Sequence, residues 1–136
     1  ALRLTNGSTL GNPLSVFSEN PMYIKGDYNT KSKQPAAVIA DAVTYLSNSW
    51  VASKSTGTLS SRSTSATTVN VSMITGDLDP SIQTYSGGLA NLPRFLENWN
   101  GTKFSLKGSM VNLWRTRQAA VHRDEGIFTL GVLVKT

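Results

Sequence analysis

The stretch Tyr23–Asp27 has the sequence Tyr-Ile-Lys-Gly-Asp, and similar stretches return at Met73–Asp77 (Met-Ile-Thr-Gly-Asp) and Ser105–Ser109 (Ser-Leu-Lys-Gly-Ser). In each, apolar and polar residues alternate as far as a glycine, and a small polar residue follows. Alternation with a period of two is typical of a β-strand, and the glycine marks the place where the strand bends or ends. The pattern predicts architecture and leaves the chemistry open.

The glycine occupies the same place in each stretch, although the spacing from Gly26 to Gly76 to Gly108 is irregular. Such a recurrence favours the stacked rungs of a short, interrupted β-solenoid, in which each copy lies on the previous one. A single sheet with two helices packed on one face is the competing arrangement. We therefore predict an α+β, β-rich fold of one of these two kinds, in a single domain over residues 1–136.

Two segments have the periodicity of an amphipathic helix. The first, Gln34–Trp50, begins with Pro35, which suits the first helical position because its missing N–H costs nothing there. Its apolar stripe has the spacing i, i+4, i+7 and i+11 and consists of Ile39, Val43, Leu46 and Trp50. The second is a short helix near Leu89–Trp99, regular from about Leu92 because Pro93 is tolerated only in the first turn.

The remaining apolar segments are predicted to be strands. They are Leu2–Leu4, Leu14–Phe17, Met22–Ile24, Thr68–Ile74, Phe104–Leu106, Met110–Trp114 and Ile127–Val134. Residues 52–68 are mostly Ser and Thr, and this composition cannot repay the entropy of ordering, so we predict a mobile surface loop there. Residues 120–136 form an atypical C-terminal tail.

The composition excludes several classes of chemistry. The chain has 136 residues and no cysteine, so disulfides, thiolate metal sites and cysteine catalysis are absent. No apolar run approaches the roughly 20 residues that a membrane-spanning helix needs. The net charge is +5 at pH 7, but the basic residues are scattered and show no aromatic–basic interleaving. We expect no nucleic-acid site, and instead a diffuse charge that aids solubility or attracts an anionic partner.

Asp27 and Asp77 are the acidic residues with the most interesting placement. They follow the glycine in two of the three copies, so stacking would bring two carboxylates about one rung apart. Paired carboxylates suit Ca²⁺ binding or acid–base catalysis. Because an Asp after a glycine commonly bonds the local backbone, and because the third copy has Ser109 instead, a turn role is the favoured interpretation.

Other candidate residues have simpler explanations. His122 is the only histidine, and with no G-x-S-x-G motif to supply a nucleophile we interpret it as a solvated loop residue. Trp50 and Trp99 end the predicted helical stripes and are interpreted as core residues, and Trp114 is either a core residue or part of a sugar-binding row. We therefore predict no enzymatic activity and no cofactor.

Several ordered stretches of this sequence resemble a known family. They are Asn20–Asn29, Pro35–Trp50, Tyr85–Trp99 and Gly108–Ala119. Together they resemble the C-terminal region of PilX-like, pilus-assembly-type exported proteins of bacteria, over about residues 1–120. The resemblance implies secretion to the cell surface, association with a type IV pilus or related filament, and a non-enzymatic structural role, with no catalytic residues to carry over.

The end of the chain departs from that family. After Ala119 the sequence becomes charged and then apolar, and we predict that residues 127–134 form a strand donated to a neighbouring subunit. Its interface residues would be Ile127, Phe128, Leu130, Val132 and Val134. The leading hypothesis is an exported structural subunit that forms homo-oligomers or binds a pilin-type partner. The alternative is an extracellular β-solenoid module that binds a glycan or Ca²⁺, through Trp114 or Asp27 and Asp77.

Overall fold

The computed structural model describes residues 1–77 and 93–115, and this part of the chain coils into a parallel β-helix. Its ten described strands are β1 (Leu2–Leu4), β2 (Leu14–Ser18), β3 (Met22–Lys25), β4 (Ala36–Ala40), β5 (Val43–Leu46), β6 (Thr67–Asn70), β7 (Ser72–Asp77), β8 (Arg94–Phe95), β9 (Phe104–Lys107) and β10 (Met110–Arg115). All pairings between them are parallel.

The strands form three sheets, one on each side of the coil. Sheet 1 has the order β1-β3-β5-β8, and sheet 3 has the order β10-β7-β4-β2. Sheet 2 lies between them in the path of the chain and contains β6 and β9, extended by the bridges Tyr28–Val69 and Thr9–Lys31. The chain passes from sheet 1 to sheet 2 to sheet 3 in each of four successive rungs. The backbone of every rung therefore finds its hydrogen-bond partners in the adjacent rungs.

The core fills the interior of the coil with stacked apolar side chains. In sheet 1 Ile24 is the register partner of Tyr45, and in sheet 3 Val38 is the partner of Met73; all four are fully buried. Each such burial is worth roughly 1.5–3 kcal/mol relative to an exposed side chain. Near the last rung, Tyr45 joins an aromatic cluster with Phe95, Trp99 and Phe104, whose ring centroids lie 5.0–6.2 Å apart.

The α+β fold predicted from the sequence is wrong, because the described chain has no α-helix to pack on a sheet. Its only helical segments are two short 3₁₀ turns, Ala52–Thr56 and Leu59–Ser61. The strands predicted from alternation within the described residues are present, except that the single strand predicted over Thr68–Ile74 is divided at Val71 into β6 of sheet 2 and β7 of sheet 3. The predicted C-terminal strand, residues 127–134, lies outside the described residues.

The segment predicted as the first helix, Gln34–Trp50, forms β4 and β5 with a bend between them. Its helical stripe was a coincidence of spacing: Ile39 is on the outer side of β4, whereas Val43 is fully buried in β5. The segment is rich in β-branched residues, which fit a pleated, stacked surface better than a helix. Rung-to-rung pairing thus outweighs a weak helical pattern.

The second predicted helix is also absent from the part that can be described. Residues 94–95 form the short strand β8, and the chain then turns through 97–101. Pro93 cannot donate a backbone hydrogen bond, which is compatible with a position just before an edge strand. Residues 89–92 of that prediction lie outside the described residues.

The three glycine-containing stretches do not stack on one another. Gly26 follows β3 of sheet 1, Gly76 lies within β7 of sheet 3, and Gly108 lies between β9 and β10. Only Gly26 and Gly108 have positive φ angles, 78° and 147°. The copies therefore share a local strand pattern and occupy different sides of the solenoid.

A pair of buried asparagines holds one corner of the coil. Asn29 donates from Nδ2 to the carbonyl oxygens of Gln34 (2.7 Å) and Asn70 (3.0 Å), and Asn70 donates from Nδ2 to the Asn29 carbonyl (3.0 Å). Asn29 has a left-handed backbone (φ 54°), which asparagine tolerates better than most residues. The amides thus satisfy the carbonyls of a buried turn where the sheet ladder is interrupted.

The Ser/Thr-rich segment forms an excursion between β5 and β6. Arg62 donates to the carbonyls of Gly57, Ser55 and Leu96, and Lys54 Nζ donates to the Ser63 carbonyl at 2.9 Å. The side chains of Lys54 and Arg62 therefore bind backbone carbonyls of this segment, whose 3₁₀ turns contain no buried residue. The mobility of residues 52–68 stays a prediction.

Candidate functional site

An apolar row crosses all four strands of sheet 3 on its outer face. The register pairs Phe17 with Ile39, Ile39 with Ile74, and Ile74 with Val111. Because adjacent strands lie about 4.8 Å apart, these four side chains span about 14 Å in a straight line. We call these residues the outer row.

The outer row lies opposite the buried side of the same strands. The neighbouring positions Val16, Val38 and Met73 are paired in register on the core side, and Val38 and Met73 are fully buried. Phe17, in contrast, is 66 % exposed and Val111 is 36 % exposed. The two central members, Ile39 and Ile74, are half-buried. Single exposed apolar residues are ordinary, but an aligned apolar row with exposed ends on a regular sheet makes this face the candidate interaction surface.

A second row on the outer face of sheet 3, beside the outer row, is uncharged. Ser15, Ala37 and Ser72 also lie on the side of β2, β4 and β7 that faces away from the core, and they are paired in register with one another. None of these residues carries a charge, although the whole chain has a net charge of +5. These two rows therefore place no positive charge in the way of a second positively charged molecule.

The row continues into an irregular part of β10. The register shifts between Asn112 and Trp114, and Trp114 is the partner of Gly76. The shift leaves Leu113 as the extra residue, and its side chain is 66 % exposed. Since Gly76 has no side chain, β7 presents no side chain next to Trp114 at that point. Trp114 thus extends the apolar surface and is not a core residue like Trp50 and Trp99, which are buried.

The structure does not bring the two candidate aspartates together. Asp27 lies at the corner between sheets 1 and 2, and Asp77 ends β7 in sheet 3, where its register partner is Arg115. Asp27 Oδ1 accepts a hydrogen bond of 2.8 Å from the Thr68 backbone N–H, and its own N–H donates to Asn48 Oδ1 at 3.1 Å. Both partners belong to the next rung, so Asp27 ties two adjacent rungs together.

No group of three His, Cys, Asp or Glu side chains in residues 1–77 and 93–115 is arranged to hold a metal ion. Glu97 is a buried carboxylate, and its two oxygens accept hydrogen bonds of 2.6 Å from the backbone N–H and the hydroxyl of Ser47. Glu97 is thereby engaged as an acceptor that joins two rungs.

Two buried tyrosines show the low polarity of the interior. Burial raises the pKa of the Tyr28 hydroxyl, and burial raises the pKa of the Tyr45 hydroxyl further. Tyr45 donates its hydrogen bond to Met73 Sδ at 3.2 Å. Both side chains are core groups with no access to a substrate.

Other predicted site residues lie outside the described part of the chain. They are His122 and the expected interface residues Ile127, Phe128, Leu130, Val132 and Val134. Within residues 1–77 and 93–115, no helix has the length and apolar character required to cross a membrane.

The sequence interpretation missed the outer row. Phe17 and Ile74 stand at positions where an alternating strand on a wetted face would have a polar residue, and this departure is the local signal. Aligning them requires the register of rungs of unequal length, which the sequence does not display. In comparisons with known proteins, no family model, curated protein or solved structure matches this chain.

Proposed function

We propose that this chain is a non-enzymatic structural subunit that packs against copies of itself through the outer row of sheet 3, in an exported bacterial surface filament or pilus-associated assembly. The observation that carries the proposal is the apolar row itself, which lies beside a second uncharged row. The sequence resemblance to pilus-assembly-type proteins supports the kind of assembly and the location at the cell surface.

A second copy of the same chain fits this face for two reasons. Each strand contributes one side chain to the outer row, so these side chains repeat at the spacing of the rungs. The same sheet in a second copy has the same spacing, so the two rows match. In addition, two molecules of net charge +5 repel each other, and the two uncharged rows of sheet 3 add no like charge to the contact.

The size of the face favours an array over an isolated dimer. Four strands at about 4.8 Å and five residues at about 3.3 Å give a footprint of roughly 300 Å² per copy. A stable pair of proteins usually buries about 1,200–2,000 Å² in total, so one such contact is weak. Weak contacts hold firmly when each subunit makes several at once, as in a filament.

Substitutions on the outer row test the proposal. Phe17→Thr and Ile39→Thr keep a strand-forming residue while removing the apolar surface. We expect the wild type to self-associate in sedimentation velocity as its concentration rises, and to form ordered arrays in electron micrographs. Each substitution should raise the concentration needed for association about tenfold, which corresponds to about 1.4 kcal/mol.

The matched control is Leu59→Thr, which removes an exposed leucine from the excursion between β5 and β6. It should associate like the wild type. A wild type that stays monomeric at millimolar concentration would contradict the proposal, as would Phe17→Thr and Leu59→Thr weakening association equally.

A further inference from the structure

A cleft of about 710 Å³ runs across three consecutive rungs at the corner between sheets 1 and 2. The first rung contributes Arg3 and Asn6, the second contributes Lys25 and Lys31, and the third contributes Asn48 to its lining. It lies on a different side of the solenoid from the outer row. We propose that this cleft binds an acidic oligosaccharide, with its anionic groups on the cationic side chains of the first two rungs.

The positive charge of the cleft is unpaired among the described residues. Arg3, Lys25 and Lys31 all line the cleft, and none of them donates a side-chain hydrogen bond or forms an ion pair with the described residues. The acidic residue in the lining is Asp27, and one of its oxygens is engaged by the Thr68 N–H. The cleft therefore has excess positive charge, and its concave wall concentrates the field toward an anion.

The cationic side chains of the cleft follow one another along the solenoid. Arg3 is in β1 and Lys25 is in β3, and these are adjacent strands of sheet 1. Lys25 lies two residues beyond Tyr23, the register partner of Arg3, so the two positions are diagonal neighbours about 7–8 Å apart, within the length of two sugar units in an extended chain. A linear ligand that lies across the rungs thus meets a cation at each of the first two.

The rest of the lining suits the hydroxyl groups and the C–H faces of sugars. Asn6, Thr30 and Asn48 offer groups that both donate and accept hydrogen bonds. Val51, at the third-rung end, is 50 % exposed and offers an apolar surface. Carboxylate pairing, hydroxyl bonding and a small apolar contact together describe an acidic glycan.

The aromatic content of the cleft argues against a nucleic acid. Single-stranded nucleic acids are held by bases stacked on exposed aromatic rings. Trp50 is the aromatic residue in the lining, and it is only 5 % exposed. A ligand here is gripped by charge and hydrogen bonds, without a stacking platform.

Titration calorimetry with full-length protein tests the proposal, using tetragalacturonate as the acidic probe and a neutral tetrasaccharide of the same length as the comparison. We expect the acidic probe to bind and the neutral one not to, with affinity falling as salt is raised. Lys25→Gln and Lys31→Gln should each weaken binding about three- to tenfold, because each removes a charge-assisted contact.

Lys103→Gln is the matched control, because it removes the same charge from an exposed position outside the cleft. It should bind like the wild type, and far-ultraviolet circular dichroism should show all three variants folded. Absence of binding at millimolar probe, equal binding of the neutral probe, or equal weakening by Lys103→Gln would overturn the proposal. Tighter binding of an oligothymidylate of equal charge would replace the glycan with a nucleic acid.

Discussion

Asp27 Oδ1 and the Thr68 backbone N–H are joined by a hydrogen bond of 2.8 Å across 41 positions of the sequence. The bond links the corner that follows β3 to the strand β6 in the next rung. A side-chain carboxylate here stands in for the peptide carbonyl that a continuous sheet would provide. Position 27 is therefore part of the scaffold even though it lines the cleft.

Two substitutions at Asp27 distinguish the hydrogen bond that its side chain accepts from the effect of its negative charge. Asp27→Ala removes the acceptor and should lower the free energy of unfolding by about 1–3 kcal/mol, because the Thr68 N–H loses its partner. Asp27→Asn keeps an oxygen at that position and should cost clearly less. Urea denaturation measures both, with Glu19→Ala as the control for loss of an exposed acid. Equal losses from the two Asp27 variants would show that the charge, not the acceptor, matters.

Two glycines with positive φ differ in the space around them, which gives a second prediction. A Cβ at Gly108 (φ 147°) would overlap the backbone carbonyl of Val71, whereas a Cβ at Gly101 (φ 72°) meets open space. Gly101→Ala should cost roughly 1–2 kcal/mol from its left-handed backbone alone. Gly108→Ala should cost about 3 kcal/mol or more, because backbone must move as well.

Thermal and urea unfolding of the two alanine variants measure this difference. Since the substitution is the same in both, the change in unfolded-chain entropy cancels in the comparison. Similar stabilities for the two variants would contradict the close approach of the β9–β10 turn to Val71.

The buried hydroxyl of Tyr45 predicts a loss of stability in alkali. Burial raises the pKa of this group above its ordinary value of 10.0, so the folded protein holds the proton more tightly than the unfolded chain does. The corresponding stability is present in full below about pH 10 and is lost as the pH rises above it. Tyr45→Phe removes this loss together with the hydrogen bond to Met73.

Urea unfolding at pH 8 and pH 11 measures the effect. At pH 8 Tyr45→Phe should be about 0.5–1 kcal/mol less stable than the wild type, and by pH 11 this gap should close or reverse. Titration of the lysines and other tyrosines is common to both proteins and cancels in the difference. A gap that does not change with pH would mean that Tyr45 ionises without unfolding.

The strands were predictable where local alternation matched burial. Met22 and Ile24 alternate with half-buried neighbours, and both are fully buried in β3. In β5 all four residues are buried, so no alternation appears and the helical stripe through Val43 and Leu46 was misleading. The β-branched content around Val38 was the better signal, because stacking in a solenoid rewards it.

The surfaces were less predictable, because they depend on which rungs stack. Phe17 and Val111 belong to one row only through Ile39 and Ile74. The chain between successive members differs in length from rung to rung, so no fixed period shows in the sequence. The repeated glycine stretch, in contrast, is visible in the sequence but does not predict stacking, since its copies are alike locally and lie on different sides of the coil.

The corner between sheets 1 and 2 tolerates very different lengths of chain. In the second rung only Gly26 and Asp27 separate β3 from Tyr28, whereas in the third rung the whole Ser/Thr-rich excursion separates β5 from β6. Ile24 of the second rung still pairs in register with Tyr45 of the third rung. This corner of the solenoid therefore accepts inserted residues. A foreign peptide placed after Gly57 should be displayed on the surface while the rungs keep their stacking.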